Sequence, residues 1–237
     1  MEVIFRMLNI QHIILASNNQ YKIKEFQSIF DDMGIDVNVI PANIEIPEEV
    51  EHFDTYAENA RAKAIYVYEQ LKPDTNTLVL AEDSGFEVAG LNGFPGLHAK
   101  RWLGIENPLE NQGLPLAIGI VNKLKKAGIV SRNDRRAKYI AYLVAIYNRD
   151  IFESVGELYG YVIDKPRGTY GWAYDKIFIV DSADPRIMQI PNENVRNQLI
   201  NEELTLAEIE PRYKNILSHR RRAIEELVNK ILFLQPS

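Results

Sequence analysis

The sequence predicts an α/β protein: a mixed β-sheet with flanking helices. Strand-like apolar runs alternate with helix-period segments through the first half of the chain. Two long neighbouring runs rich in aromatic and β-branched residues follow, which suits a mixed sheet better than a purely parallel one. The 237 residues are 46% apolar and 25% charged, and no repeat, low-complexity tract or Pro/Gly-rich linker divides them. Residues 1–237 therefore read as a single domain, large enough for two lobes around a cleft.

The first strand is 12–17, HIILAS, a continuous apolar run closed by polar residues. A helix over 20–33 follows, with Ile23, Phe26, Ile29 and Phe30 on one face and Gly34 as its stop. Residues 36–40 form a short strand ended by Pro41, and 55–71 a second helix after the acidic loop PEEVEHFD. The apolar strand 77–81, TLVLA, is expected to stop at Glu82-Asp83-Ser84-Gly85, with a separate strand at 86–91. Asn-Gly and Pro-Gly pairs in LNGFPGLHAKRW mark turns before a helix at 114–126. Residues 138–147 and 153–163 are the two long strands, and 173–180 is a further one. The chain closes with an amphipathic helix at 220–232, burying Ala223, Ile224, Leu227, Val228 and Ile231.

Composition excludes several classes of function. With no cysteine, disulfide frameworks, zinc–thiolate sites, iron–sulfur clusters and thiol catalysis are ruled out. A net charge of −6 argues against a surface for a nucleic-acid polymer, yet allows a local basic pocket for a small polyanion. No apolar run approaches the roughly 20 residues of a membrane span. Glu2 and Arg6 interrupt the apolar N-terminal stretch and no small-residue cleavage site follows, so a cytoplasmic location with no membrane partner is expected.

Four segments could carry chemistry. Ser17-Asn18-Asn19-Gln20-Tyr21-Lys22 lies where a strand hands over to a helix, and unpaired N–H groups at a helix start attract anions. Lys22 adds a full charge, and Ser17 and Asn19 add neutral donors; an N-cap before a solvated helix face is the simpler reading. Glu82 and Asp83 follow a buried strand, where adjacent acids need solvent, pairing or a cation. Glu51 could add a carboxylate, and Mg²⁺ takes one or two carboxylates plus substrate phosphates. The competing reading is a strand exit with an Asx turn at Asp83. In Trp172-Ala173-Tyr174-Asp175 an aromatic could stack on a base while the acid accepts base N–H groups; ordinary core packing is the alternative. Near the C-terminus, Ser218 reads as an N-cap that puts His219 and Arg220 in a helix's first turn, after Lys214. Positive charge there opposes the helix dipole unless a ligand sits among it, and a solvated basic turn is the alternative.

In this order the segments ASNNQYKIKE (16–25), ENARAKA (58–64), AEDSGFEVAGLNGFPGLHAKRW (81–102), GWAYDKIF (171–178) and LTLAEIEPRYKNILSHRRRA (204–223) resemble the inosine triphosphate pyrophosphatase family. The resemblance spans nearly the whole chain. It implies an elongated fold with two lobes around a nucleotide-binding cleft, a homodimer and a requirement for Mg²⁺. It implies hydrolysis of non-standard purine nucleoside triphosphates (ITP, dITP and XTP) to the monophosphate and pyrophosphate. Ser17, Asn19 and Lys22 match the family's first phosphate-binding loop; Glu51 has the spacing of its metal-binding glutamate. Asp83 matches the acid that holds metal and accepts a proton, with Glu82 nearby, and Ser84 and Arg101 match its neighbours. Trp172 to Asp175 match the nucleobase segment, and Lys214, His219 and Arg220 the C-terminal substrate contacts.

The chain also departs from that pattern. Ala173 replaces a glycine and Lys176 a proline, and Ala99 stands where a serine is usual. Residues of about 1–10 form an N-terminal extension, and about 181–203 are longer than the family's usual length. Ala173 and Lys176 leave open a shifted base preference on the same scaffold. A non-catalytic nucleotide sensor is a further alternative, disfavoured by the retained Lys22, Glu51 and Asp83.

Overall fold

The computed structural model describes residues 9–99, 102–104 and 113–233. The chain divides into two compact units: one of Met1–Ser84, Ala141–Gly156 and Arg220–Ser237, the other of Gly85–Ile140 and Glu157–His219. The strands are β1 His12–Leu15, β2 Asn38–Pro41, β3 Thr77–Val88, β4 Pro95–Gly96, β5 Arg136–Tyr147, β6 Asp150–Val162 and β7 Phe178–Val180. Among the described residues they form a seven-stranded sheet of order β2-β1-β3-β5-β6-β7, with β4 on β3. β1 runs parallel to β2 and β3, with His12 opposite Asn38 and Thr77, whereas β4 and β7 are antiparallel to β3 and β6. The expected mixed α/β fold is therefore found.

The first unit packs α1 (Gln20–Asp32), α2 (Tyr56–Leu71) and α6 (His219–Phe233) around its strands. The α1 stripe Ile23, Phe26, Ile29 and Phe30 meets Leu78, Leu80, Leu227 and Val228 in one cluster. Ala60, Ala64 and Val67 of α2 join Val79 and Ala81 in another. Small residues on that α2 face let the helix approach the strand closely. The second unit holds α3 (Leu114–Lys126), α4 (Glu193–Ile200) and α5 (Pro211–Leu217), whose core contains Phe86, Leu116, Ile120, Phe178 and Leu217.

Several expectations need correction. β3 does not stop at 81 but continues through Glu82-Asp83-Ser84 to Val88, because Glu82 is neutralised by cations; Ala89–Leu91 then forms a 3₁₀ turn. Residues 173–177 are wound as a 3₁₀ helix, Ala173–Ile177, and only Phe178–Val180 is strand. The Asp175 side chain accepts the Trp172 N–H at 2.8 Å and fixes that turn. Ser218 ends α5 and stands directly before α6, so His219 and Arg220 do open that helix, as expected. Residues 181–203 carry two short helices, Pro185–Gln189 and Glu193–Ile200, started by the side chains of Asp184 and Asn192. They bury Ile187 and Leu199 in the second unit's core. Most of the expected extension at 1–10 lies outside the described residues. No described helix is long and apolar enough to cross a membrane.

Candidate active site

Successive strand residues face opposite ways, so the adjacent acids Glu82 and Asp83 enter different surroundings. The Glu82 side chain is only 1% exposed and sits between two cations. Lys22 Nζ lies 2.8 Å from Oε2 and Arg220 Nε 2.7 Å from Oε1. Arg220 also reaches Glu25 at 3.2 Å and the Ser84 hydroxyl at 3.4 Å. Burial alone would pull the Arg220 guanidinium down, but Glu25 and Glu82 outweigh it and raise its proton affinity. Lys22, from the first turn of α1, and Arg220, from the first turn of α6, are thus held on one carboxylate.

Asp83 meets α2. Its Oδ2 accepts from Asn59 Nδ2 at 3.2 Å, and its Oδ1 accepts the Ser84 N–H at 3.1 Å. The Lys63 ammonium lies 3.9 Å from Oδ1, is ion-paired to Glu51, and donates to the Glu82 carbonyl at 2.7 Å. Burial raises the pKa of Asp83 above its ordinary value; Lys63, Lys22 and Asn59 oppose this, and Glu51 adds to it. Asn59 and Lys63 are four apart, one helical turn, and so share a face. Asn59 also exchanges two 3.0 Å hydrogen bonds with the Phe53 backbone, anchoring the chain just after Glu51. Neither residue stood out as a site residue in the sequence. The available signal was a pair of polar residues at helical spacing amid the buried Ala60, Ala64 and Val67.

Glu51 ends the 3₁₀ turn Glu48–Glu51, and with Asp83 it is drawn to a single ammonium. Two hard oxygen donors gathered around one positive charge fit a divalent cation that takes its other ligands from phosphate and water. Among the described residues no group of three or more His, Cys, Asp or Glu is arranged for a metal.

The loop before α1 is tied down locally. Asn19 caps the helix, its side chain accepting from Tyr21 N at 2.9 Å and Lys22 N at 3.4 Å. The Ser17 hydroxyl accepts the Asn19 N–H at 3.2 Å. Asn18 bonds the backbone of Asn43 and Ile44. Asn19 is thus the N-cap, while Lys22 faces inward to Glu82 rather than a solvated face.

In the second unit, Asp175 is 4% exposed and accepts from Trp172 N at 2.8 Å, Lys214 Nζ at 2.7 Å and Tyr139 OH at 2.9 Å. The Tyr139 ring stacks on His219, centroids 5.0 Å apart. Tyr174 is core: it lies flat on Phe86 at 4.5 Å, accepts from the Trp102 indole at 3.0 Å and donates to the Ala99 carbonyl. Burial raises its phenol pKa. Ala173 takes φ of +44°, the left-handed conformation that a glycine would adopt freely. Lys176 is buried and donates to the Gly168 carbonyl at 3.3 Å. Arg101 lies outside the described residues. The structure thus gathers Lys22, Glu51, Glu82, Asp83, Ser84 and Arg220 in the first unit, and Asp175, Lys214 and His219, through Tyr139, in the second.

Known proteins resemble the chain along most of its length. A protein named dITP/XTP pyrophosphatase from Oceanobacillus iheyensis is 33% identical over 217 residues, 91% of this chain and 95% of its own length. A HAM1 protein from Coxiella burnetii has a similar solved structure, with a TM-score of 0.70, 26% identity, and coverage of 94% of this chain and 100% of its own. The Ham1 protein of Staphylococcus aureus gives 0.66 and 29%, over 95% and 100% of the two chains. The five motif segments, the mixed α/β fold and a match to the family's model over residues 13–230 place the chain in the Ham1 family.

Proposed function

We propose that the protein hydrolyses ITP, dITP and XTP to the nucleoside monophosphate and pyrophosphate, clearing non-standard purines from the nucleotide pool. The observation that carries this is Asp83: a half-buried carboxylate with raised proton affinity, fixed by Asn59 and the Ser84 N–H, close to the Glu51 carboxylate. Such a group is suited to accept the proton of the attacking water as its oxygen bonds to the α-phosphorus and the bond to the bridging oxygen breaks. Glu51 and Asp83 would hold Mg²⁺, which supplies charge relief to the phosphates and the departing pyrophosphate. Glu82 was a metal candidate, but its carboxylate is taken up by Lys22 and Arg220, and its task in this reading is to aim those cations. Ser17, Asn19, Lys22 and Ser84 serve the phosphates, with Arg220.

For the base, Trp172, Ala173, Tyr174, Asp175, Lys214 and His219 are the candidates, and Arg101 is a further substrate contact. Asp175 is committed to three donors and Tyr174 to core packing, so their part is to set the shape of the segment. Ala173 takes a left-handed φ despite its methyl group, a conformation that a glycine at this position would adopt freely. That favours retained purine preference over a shifted one. The same reading includes a cytoplasmic homodimer.

The test is a triphosphate panel (ITP, dITP, XTP, ATP, GTP and TTP) with pyrophosphate and orthophosphate measured separately. Pyrophosphate from ITP, dITP and XTP, far above that from ATP, is the expected result. Orthophosphate as the main product, or equal turnover of all six, would overturn it.

A further inference from the structure

We propose that Lys63 is a built-in placeholder for the divalent ion, so that the protein holds that ion weakly until a triphosphate brings it. The inference rests on the assignment of Glu51 and Asp83 as the ion's carboxylates. Lys63 is 5% exposed and emerges from the middle of α2, among the small apolar residues Ala60, Ala64 and Val67. Its ammonium is ion-paired to Glu51, lies 3.9 Å from Asp83 Oδ1, and donates to the Glu82 carbonyl at 2.7 Å. A buried charge of this kind persists only when paired. Here its partners are the same two carboxylates that a divalent ion would need.

Two consequences follow from the charges. Without an ion, the ammonium offsets the mutual repulsion of Glu51 and Asp83 and keeps both carboxylates in position. When an ion enters, it competes with the ammonium for the same oxygens and is repelled by it. The Glu82 carbonyl is a neutral acceptor that Lys63 can keep when the carboxylates turn to the ion. A bound triphosphate adds negative charge and tips the balance toward the ion.

The experiment measures Mn²⁺ binding by electron paramagnetic resonance, with no nucleotide, to the full-length wild type and to Lys63→Met, Lys63→Arg and Asp83→Asn. Lys63→Met should bind Mn²⁺ about tenfold or more tightly than wild type, since a unit charge within a few ångströms is removed. Lys63→Arg keeps the charge and should stay near wild type, and Asp83→Asn should bind more weakly. Wild type that loses affinity on Asp83→Asn, but gains none on a folded Lys63→Met, overturns the placeholder alone. No Mn²⁺ binding by any of the proteins, or binding indifferent to Asp83→Asn, overturns the metal assignment and the placeholder with it. A second measurement needs no variant: in wild type labelled with ¹³C at lysine Cε, saturating Mg²⁺ should move the Lys63 resonance. A Lys63 signal unmoved by Mg²⁺ that does bind also overturns the proposal.

Discussion

Glu82 and Asp83 are neighbours of the same chemical type, and their surroundings separate them. Asp83→Asn keeps shape and the hydrogen bond from Ser84 N, so the melting temperature should hold while turnover falls by about 10²–10⁴-fold through loss of a base. Glu82→Gln should behave in the opposite way. It leaves Lys22 and Arg220 without their shared buried carboxylate, a loss of about 3–5 kcal/mol for a broken buried pair, visible as a large drop in melting temperature. If both variants kept wild-type stability, Glu82 would not be the anchor described. Lys22→Ala should raise KM as well as slow the reaction, through lost attraction for phosphate. Sequence alone flagged both acids but could not divide their tasks, because the division depends on which cations the fold brings to each face. Asn59 and Lys63 escaped notice for the same reason: they gain their meaning from β3, which passes them only in the folded chain.

Periodicity made α1 and α3 legible, since each buries a clear apolar stripe, whereas α2 buries Asn59 and Lys63 among its small apolar residues. It failed where side chains bond to local backbone. Asp175 winds 173–177 into a 3₁₀ turn that composition alone presents as strand. Gly171 is part of that device: its φ is +68°, and a Cβ there would lie 2.2 Å from Asp175 Oδ2. Gly171→Ala should therefore strain the turn and displace the Asp175 carboxylate from Lys214 and Trp172 N. The expected outcome is a loss of at least about 1–2 kcal/mol in chemical denaturation. An unchanged midpoint would show that the turn does not depend on this close approach. On β6, the outer-edge groups Val155 N and Glu153 O are met by Glu226 and Lys230 of α6 in place of a strand, which blunts the open edge.

For the molecule as a whole, the alternation of elements gave the fold class, and ordered motifs from 16 to 223 gave the family. Assembly is harder to read, because aromatic strands serve cores and interfaces alike. Ile151, Val155 and Tyr159 are exposed on β6 and offer apolar surface for a second copy. Light scattering at micromolar concentration should return twice the 27.2 kDa chain mass; the monomer mass would contradict the dimer. In the proposed reaction Asp83, with a divalent ion, drives release of pyrophosphate from a non-standard purine triphosphate. The most direct measurement is pyrophosphate formed from ITP by wild type and Asp83→Asn, each with saturating Mg²⁺ and with chelator. Release by wild type with Mg²⁺, and its near-absence in the other three reactions, is the predicted result. Turnover by Asp83→Asn close to wild type, or by wild type in chelator, would contradict it.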